Sequence, residues 1–201
     1  MTSLIYPNLI LASSSNYRQQ LLSRLPIPFQ AISPNIDETP LPHESPSDTA
    51  LRLAKQKALV IAHNHPNSLI IGSDQVATLN EEKIGKPGNF DNALIQLTKM
   101  QGQCVQFHTA LCLVDNRSST DHPHIQLENI ITEVHFRTLP KEQLIQYLHL
   151  EKPYDCAGSA KNEGLGITLI EKIKSDDPTA LTGLPLIALT TMLMQCKVVL
   201  Y

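Results

Sequence analysis

Leu69-Ile70-Ile71-Gly72-Ser73-Asp74 is the stretch on which the fold turns: an apolar run, a glycine and a serine, and then an acid. Residues 69–72 are apolar enough for a strand. The acid after them stands where open α/β sheets place their ligand crevice, beyond the carboxyl end of a strand. Gln75 to Leu79 reads as a further strand, and Asn80-Glu81-Glu82-Lys83 as the tip of a hairpin.

Upstream, Asn8 to Ala12 (NLILA) reads as a short buried strand. Ser13-Ser14-Ser15 then makes a hydroxyl-rich turn before an amphipathic helix over Asn16 to Leu25. Phe29 to Ser33 has the character of a second strand, and Pro34 to Pro46 that of a loop carrying Asp37-Glu38. From Ser47, a good N-cap, a helix is expected to about His63, with Ala50, Leu53, Ala54, Ala58 and Ile61 on one face.

Downstream, Asp91 is placed to cap a helix through Met100, which Gln101-Gly102-Gln103 would stop. Cys104 to Val114 and Ile125 to Arg137 alternate like two long strands, joined by a polar loop from Asp115 to Pro123. Pro140 opens a further helix, Ile167 to Ile173 is strand-like, Pro185 to Gln195 is helical and Lys197 to Leu200 is a closing strand. Strands and helices alternate, while the long adjacent strands imply antiparallel pairing as well. The fold class is therefore α/β, a mixed central sheet flanked by helices.

With 201 residues, 42% hydrophobic and 17% charged, the chain can bury a full core and fits a single domain over 1–201, one-lobed or two-lobed. Its 16 basic and 19 acidic residues give a net charge of −3. That balance offers no footprint for nucleic acid or a membrane, so any phosphate must be met locally. Residues 1–7 lack a basic leader, and no segment approaches the roughly 18 apolar residues of a membrane span, which gives the expectation of an unprocessed cytoplasmic protein. The cysteines at 104, 112, 156 and 196 form no C-x-x-C pair, so the spacing suggests free thiols rather than zinc or disulfides. His63-x-His65 and His122-x-His124 lie in proline-flanked stretches and read as loop histidines.

Several side chains are candidates for chemistry, each with a plainer reading beside it. Ser13, Ser15 and Arg18 at a strand-to-helix junction suit an anion, through N–H groups, hydroxyls and a bidentate guanidinium; equally, Ser15 is a cap and Arg18 a solvated residue. Asp74 can bind a divalent ion or act as general base toward water, or it can be a turn residue. Lys57 interrupts the apolar stripe of its helix, either snorkelling or reaching a buried phosphate, and Lys86 in Gly85-Lys86-Pro87 has the same two readings. Asp37-Glu38 adds loop carboxylates able to face a metal. Cations, a helix start and acids, with no recognisable nucleophile, suit phosphoanhydride hydrolysis.

These residues fall in blocks: LILASSSNYR (9–18), DETP (37–40), LAKQKA (53–58), IIGSDQV (70–76), GKP (85–87), PYDCAGSAKNEGLGI (153–167) and GLPL (183–186). In that order they resemble the Maf family of nucleotide pyrophosphatases. The resemblance implies a fold related to that of the inosine triphosphate pyrophosphatases, a homodimer, and hydrolysis between the α and β phosphates with Mg²⁺, Mn²⁺ or a similar divalent ion. It puts the catalytic acid on Asp74, phosphate binding on Ser13, Ser15, Arg18, Lys57 and Lys86, and a metal-associated acid on Glu38 beside Asp74.

The segments PYDCAGSAKNEGLGITLIE and DPTALTGLPLIAL bring the likeness nearest to the branch acting on 7-methyl-GTP, whose distinguishing positions are Tyr17, Gln75 and Glu163 here. Methylated guanine is cationic, so an aromatic face attracts it and a carboxylate accepts from its N1–H and amine. Tyr17 stands where tryptophan is expected in that branch. The alternatives are a dTTP or UTP pyrophosphatase of the same family, and a nucleotide-sensing regulator of cell division without catalysis.

Overall fold

Ser45 decides where the longest helix begins. Its hydroxyl accepts from the Asp48 N–H (3.1 Å) and donates to the Asp48 carboxylate (2.6 Å), a reciprocal cap just ahead of Pro46 at the first helical position. Ser47, the expected cap, therefore lies inside the first turn, because proline's fixed φ and missing N–H suit that turn better than the residue before it. The computed structural model describes residues 6–118 and 123–201; within the His122-x-His124 pair, His122 lies outside the described residues.

The elements run β1 (Asn8–Ala12), α1 (Asn16–Leu22), β2 (Phe29–Ile32), α2 (Pro46–Ala62), β3 (Ser68–Leu79), β4 (Glu82–Ile84), α3 (Phe90–Met100), β5 (Cys104–Asp115), β6 (His124–Phe136), α4 (Lys141–Glu151), β7 (Ile170–Ser175) and α5 (Leu186–Gln195). Short 3₁₀ turns occupy 157–159, 165–169 and 180–182. The strands pair in the order β2-β1-β3-β5-β6-β7, with β4 beside β3. β1 is parallel to β2 and β3, whereas β4 on β3 and β7 on β6 are antiparallel, so the sheet is mixed as the alternation of elements required.

By internal packing the chain divides into two compact units. One comprises residues through Gln75 together with 109–130 and 177–201; the other comprises 76–108 and 131–176. In the first, α5 lays Leu186, Leu189, Met192 and Leu193 into a core shared with Leu9, Leu11, Leu69, Ile71, Leu111 and Leu113. The carboxylate of Asp177 starts this helix by accepting from the N–H groups of Ile187 and Ala188 (2.7 and 3.3 Å). In the second unit, Asn89 rather than Asp91 caps α3, accepting from the Asn92 N–H (2.9 Å).

Four further expectations change. Residues 69–79 form one continuous strand, not two, because burial on both sides keeps Gly72 and Ser73 within the ladder. The chain over 197–200 keeps an alternating burial that seats Val198 and Leu200 in the core, but Lys197 adopts a left-handed φ of 60° and the segment is not a strand. Helix α1 stops at Leu22, with Ser23 as its C-cap, and β7 begins only at Ile170, after a 3₁₀ turn.

Gly72 sets the spacing between β3 and α2. A Cβ there would lie 2.1 Å from the Ala54 carbonyl oxygen and 2.9 Å from the Ala58 nitrogen, both backbone atoms that cannot step aside. Alanines 50, 54 and 58 on the facing side of the helix are fully buried, so the two backbones are in close approach. Gly72→Ala is expected to destabilise the fold by at least about 1–3 kcal/mol, read as a fall in the urea midpoint with an unchanged slope.

Candidate active site

The close approach of α2 to β3 has a direct chemical result. One turn along the helix stripe from Ala54, Lys57 is 5% exposed, and its Nζ donates to Asp74 Oδ1 at 2.6 Å. The same ammonium is 2.9 Å from Glu38 Oε1, in the loop between β2 and α2. Asp74 is itself only 7% exposed, whereas the Glu38 side chain is 59% exposed, so the cluster is buried at one end and open at the other.

Asp74 lies in the middle of β3 rather than at its end, which corrects the expectation from the sequence. It nevertheless borders a strand end, that of its neighbour. Parallel pairing of β1 with β3 stops at Leu11 opposite Ile71, and β1 itself ends at Ala12, so Asp74 stands just beyond the carboxyl end of the strand beside it. The Ser13–Ser15 turn leads the chain away from that end of β1.

In that turn, Ser13 is buried and its hydroxyl accepts the Ser15 N–H (3.1 Å), while the Ser15 hydroxyl caps α1 by accepting the Arg18 N–H (3.4 Å). The capping reading of Ser15 is thus realised. Arg18 Nε donates to the Gly183 carbonyl (2.8 Å), which also accepts from the buried Ser73 hydroxyl (2.8 Å). Gly183 has φ of 104°, and a Cβ there would press on the guanidinium of Arg18 at 3.4 Å.

Side chains of β3 alternate between two faces. Gly72 and Asp74 meet α2, whereas Ser73 and Gln75 meet the 180–183 turn. Gln75 Nε2 donates toward Thr109 Oγ1, Ala180 O and Leu181 O (2.9, 3.0 and 3.1 Å), and the Thr109 hydroxyl also donates to Ala180 O (3.0 Å). The amide nitrogen is committed to the turn, which leaves the carbonyl end of Gln75 as the acceptor for anything outside it.

The electrostatics stem from burial. Desolvation pushes the Asp74 carboxyl above its ordinary value, and the Lys57 and Arg18 charges pull it back only in part. Arg18 is lowered by burial and raised by the charges of Asp74 and Glu38, so the three groups share one field. For a divalent ion, the donor chemistry fits: two carboxylates converge on a single point now held by the Lys57 ammonium, and hard oxygen donors with open access are what Mg²⁺ or Mn²⁺ takes when phosphates complete its shell.

The family model described as Maf-like protein matches residues 8–196. The chain belongs to the Maf family. Among its Maf relatives, a protein of Ralstonia nicotianae named 7-methyl-GTP pyrophosphatase is 59% identical over 93% of this chain and 94% of its own length. Proteins with the same name from Cupriavidus metallidurans (58% identity; 96% and 95% covered) and Thiobacillus denitrificans (53%; 94% and 92%) are similar to it as well.

Of the Maf positions singled out in the sequence, Asp74, Lys57, Glu38 and Arg18 come together in the first unit, with Ser13 and Ser15 shaping the turn that carries Arg18. Tyr17 is partly buried at the start of α1. Lys86 and Glu163 are exposed residues of the second unit. There, Gln96 Nε2 and Asn92 Nδ2 donate to the carbonyls of Gly85 and Pro87 (both 3.0 Å) and fix the turn bearing Lys86. Glu163 sits in a turn closed by the Gly164 N–H on Lys161 O (3.0 Å). Ser73, Thr109 and Gly183 carry the network and were not singled out; Ser73 within IIGSDQV and Gly183 opening GLPL lie in the family blocks, whereas Thr109 left no sequence signal.

Removing the Lys57 charge should raise the Asp74 carboxyl further. An NMR titration of the Asp74 carboxyl carbon is expected to give a value above the ordinary aspartate range in the wild type and a higher one in Lys57→Gln. Since the folded chain holds this proton to higher pH than the unfolded chain, Asp74's contribution to stability is greatest below the unfolded value. It is lost as pH rises through the folded one. A lower value in Lys57→Gln would contradict the pairing.

Proposed function

We infer that this chain is a nucleoside triphosphate pyrophosphatase that hydrolyses 7-methyl-GTP to 7-methyl-GMP and pyrophosphate. The observation that carries the reading is the buried Asp74, paired to Lys57 beside Glu38 and Arg18, in a Maf chain 59% identical to a protein named for that activity.

The residues divide the work by their chemistry. Asp74, whose carboxyl burial raises above its ordinary value, accepts the proton of the attacking water. The water oxygen bonds to phosphorus, the bridging oxygen bond between the α and β phosphates breaks, and pyrophosphate leaves with the electron pair. Lys57 and Arg18, with Lys86, meet the phosphate oxygens, and Arg18's anchor on Gly183 turns its remaining nitrogens into a preorganised donor. A divalent ion, Mg²⁺ or Mn²⁺, held by Glu38 and Asp74, supplies charge neutralisation at the phosphates when bound.

Tyr17, Gln75 and Glu163 set the preference for the base: a ring face for the cationic 7-methylguanine, an amide carbonyl acceptor, and a carboxylate for N1–H and the amine. In the same reading the enzyme is a cytoplasmic homodimer that clears methylated nucleotides from the pool. Among the described residues no helix is long and apolar enough to cross a membrane.

A pyrophosphate-release assay with 7-methyl-GTP, GTP, dTTP and UTP tests the proposal. The wild type is expected to turn over 7-methyl-GTP fastest, and Asp74→Asn to lose about a hundredfold to ten-thousandfold of that rate. Faster turnover of dTTP or UTP would favour the other branch of the family, and nucleotide binding without turnover would favour a sensing role.

A further inference from the structure

In the second unit, on the face of the sheet opposite Val105 and Val134, one cysteine, one histidine and one glutamate converge. Cys104 opens β5, and Glu133 and His135 are two residues apart near the end of β6, so all three project to the same side. Cys104 Sγ lies 3.8 Å from His135 Nε2, which lies 3.9 Å from Glu133 Oε2, and the three ligand atoms all fall within 4.8 Å of one another.

We propose that Cys104, Glu133 and His135 form a binding site for a borderline-soft divalent ion of the Zn²⁺ type, distinct from the Asp74 cluster, that clips the start of β5 to the end of β6. A thiolate, an imidazole and a carboxylate are a zinc donor set, and three protein ligands leave a fourth tetrahedral position for water. Mg²⁺ would not choose sulfur or imidazole. Ordinary zinc–ligand lengths in a tetrahedron place sulfur and nitrogen, or nitrogen and oxygen, about 3.4–3.6 Å apart. The sulfur–nitrogen and nitrogen–oxygen pairs need close by only a few tenths of an ångström, and the sulfur–oxygen pair, within 4.8 Å, by no more than about 1.2 Å, which is within reach of side-chain rotation.

Access and charge are compatible with entry of an ion. The His135 and Glu133 side chains are each 35% exposed. Lys174 on β7 lies 3.1 Å from the same Glu133 oxygen that faces His135 and holds that carboxylate ionised, so an entering ion takes the oxygen from an ammonium whose side chain is 55% exposed. Binding displaces the Cys104 thiol proton to solvent as the metal–sulfur bond forms. The backbone already ties the two strands at this point, since the Phe136 N–H donates to Gln103 O (3.0 Å), so the ion would fasten a junction already formed.

Titrating the purified full-length chain with Co²⁺ tests this. The wild type is expected to develop a sulfur-to-cobalt charge-transfer band saturating at one equivalent, to lose it on adding Zn²⁺, and to keep it in a large excess of Mg²⁺. Cys104→Ser should lose the band, and His135→Gln and Glu133→Gln should each bind Co²⁺ at least about tenfold more weakly, since even supporting partners of ligands cost that much. Zn²⁺ should also raise the thermal midpoint of the wild type and not of Cys104→Ser. Absence of the band at one equivalent, or its persistence at full intensity in Cys104→Ser, would overturn the proposal.

Discussion

The ammonium of Lys57 is held between the carboxylates of Asp74 and Glu38, and the site is built around that pairing. A lysine this deeply buried is tolerable only with anionic partners at hydrogen-bond distance, and Asp74 at 2.6 Å supplies the nearer one. That geometry in turn requires α2 to lie almost on top of β3. Gly72 and the small residues Ala54 and Ala58 make this possible, because any side chain at 72 would drive the helix back and lift Lys57 off its partner. Packing and charge are thus one constraint stated twice.

The cluster is not arranged for maximum stability. Burial works against the charge on Asp74 and lowers Arg18, and the neighbouring cations offset only part of it. A structural ion pair would be better served by an apolar replacement. Groups held against their solvation preference beside an exposed acid are what a site needs when phosphates and a divalent ion are to complete it. Around it the rigidity is provided by hydrogen bonds to backbone carbonyls: Ser73 and Arg18 share the Gly183 carbonyl, and Gln75 and Thr109 hold Ala180, so the 180–183 turn and the guanidinium it anchors move together.

Much of this is legible in the chain. The alternation of β-branched and amphipathic stretches specifies the mixed α/β class, and the lysine breaking the apolar stripe of α2 points inward on periodicity alone. The family blocks then single out Asp74 and its cations. The hidden part depends on contacts between distant segments. Ser73 and Thr109 look like ordinary strand residues until the 180–183 turn is laid against them, and Gly72-Ser73 suggests a break where two-sided burial keeps β3 continuous. Cys104 and His135 lie far apart in sequence, and only the pairing of β5 with β6 brings them together. Cap choice between Ser45 and Ser47, or Asn89 and Asp91, turns on a single proline or a single turn, below the resolution of pattern reading.

If this cluster directs water to the α–β phosphoanhydride of 7-methyl-GTP, the bond that breaks identifies it. Phosphorus NMR of the products formed in ¹⁸O-enriched water reads that bond. Equal amounts of 7-methyl-GMP and pyrophosphate are expected, with one ¹⁸O entering that product pair at each turnover. Formation of 7-methyl-GDP and orthophosphate would contradict the assignment.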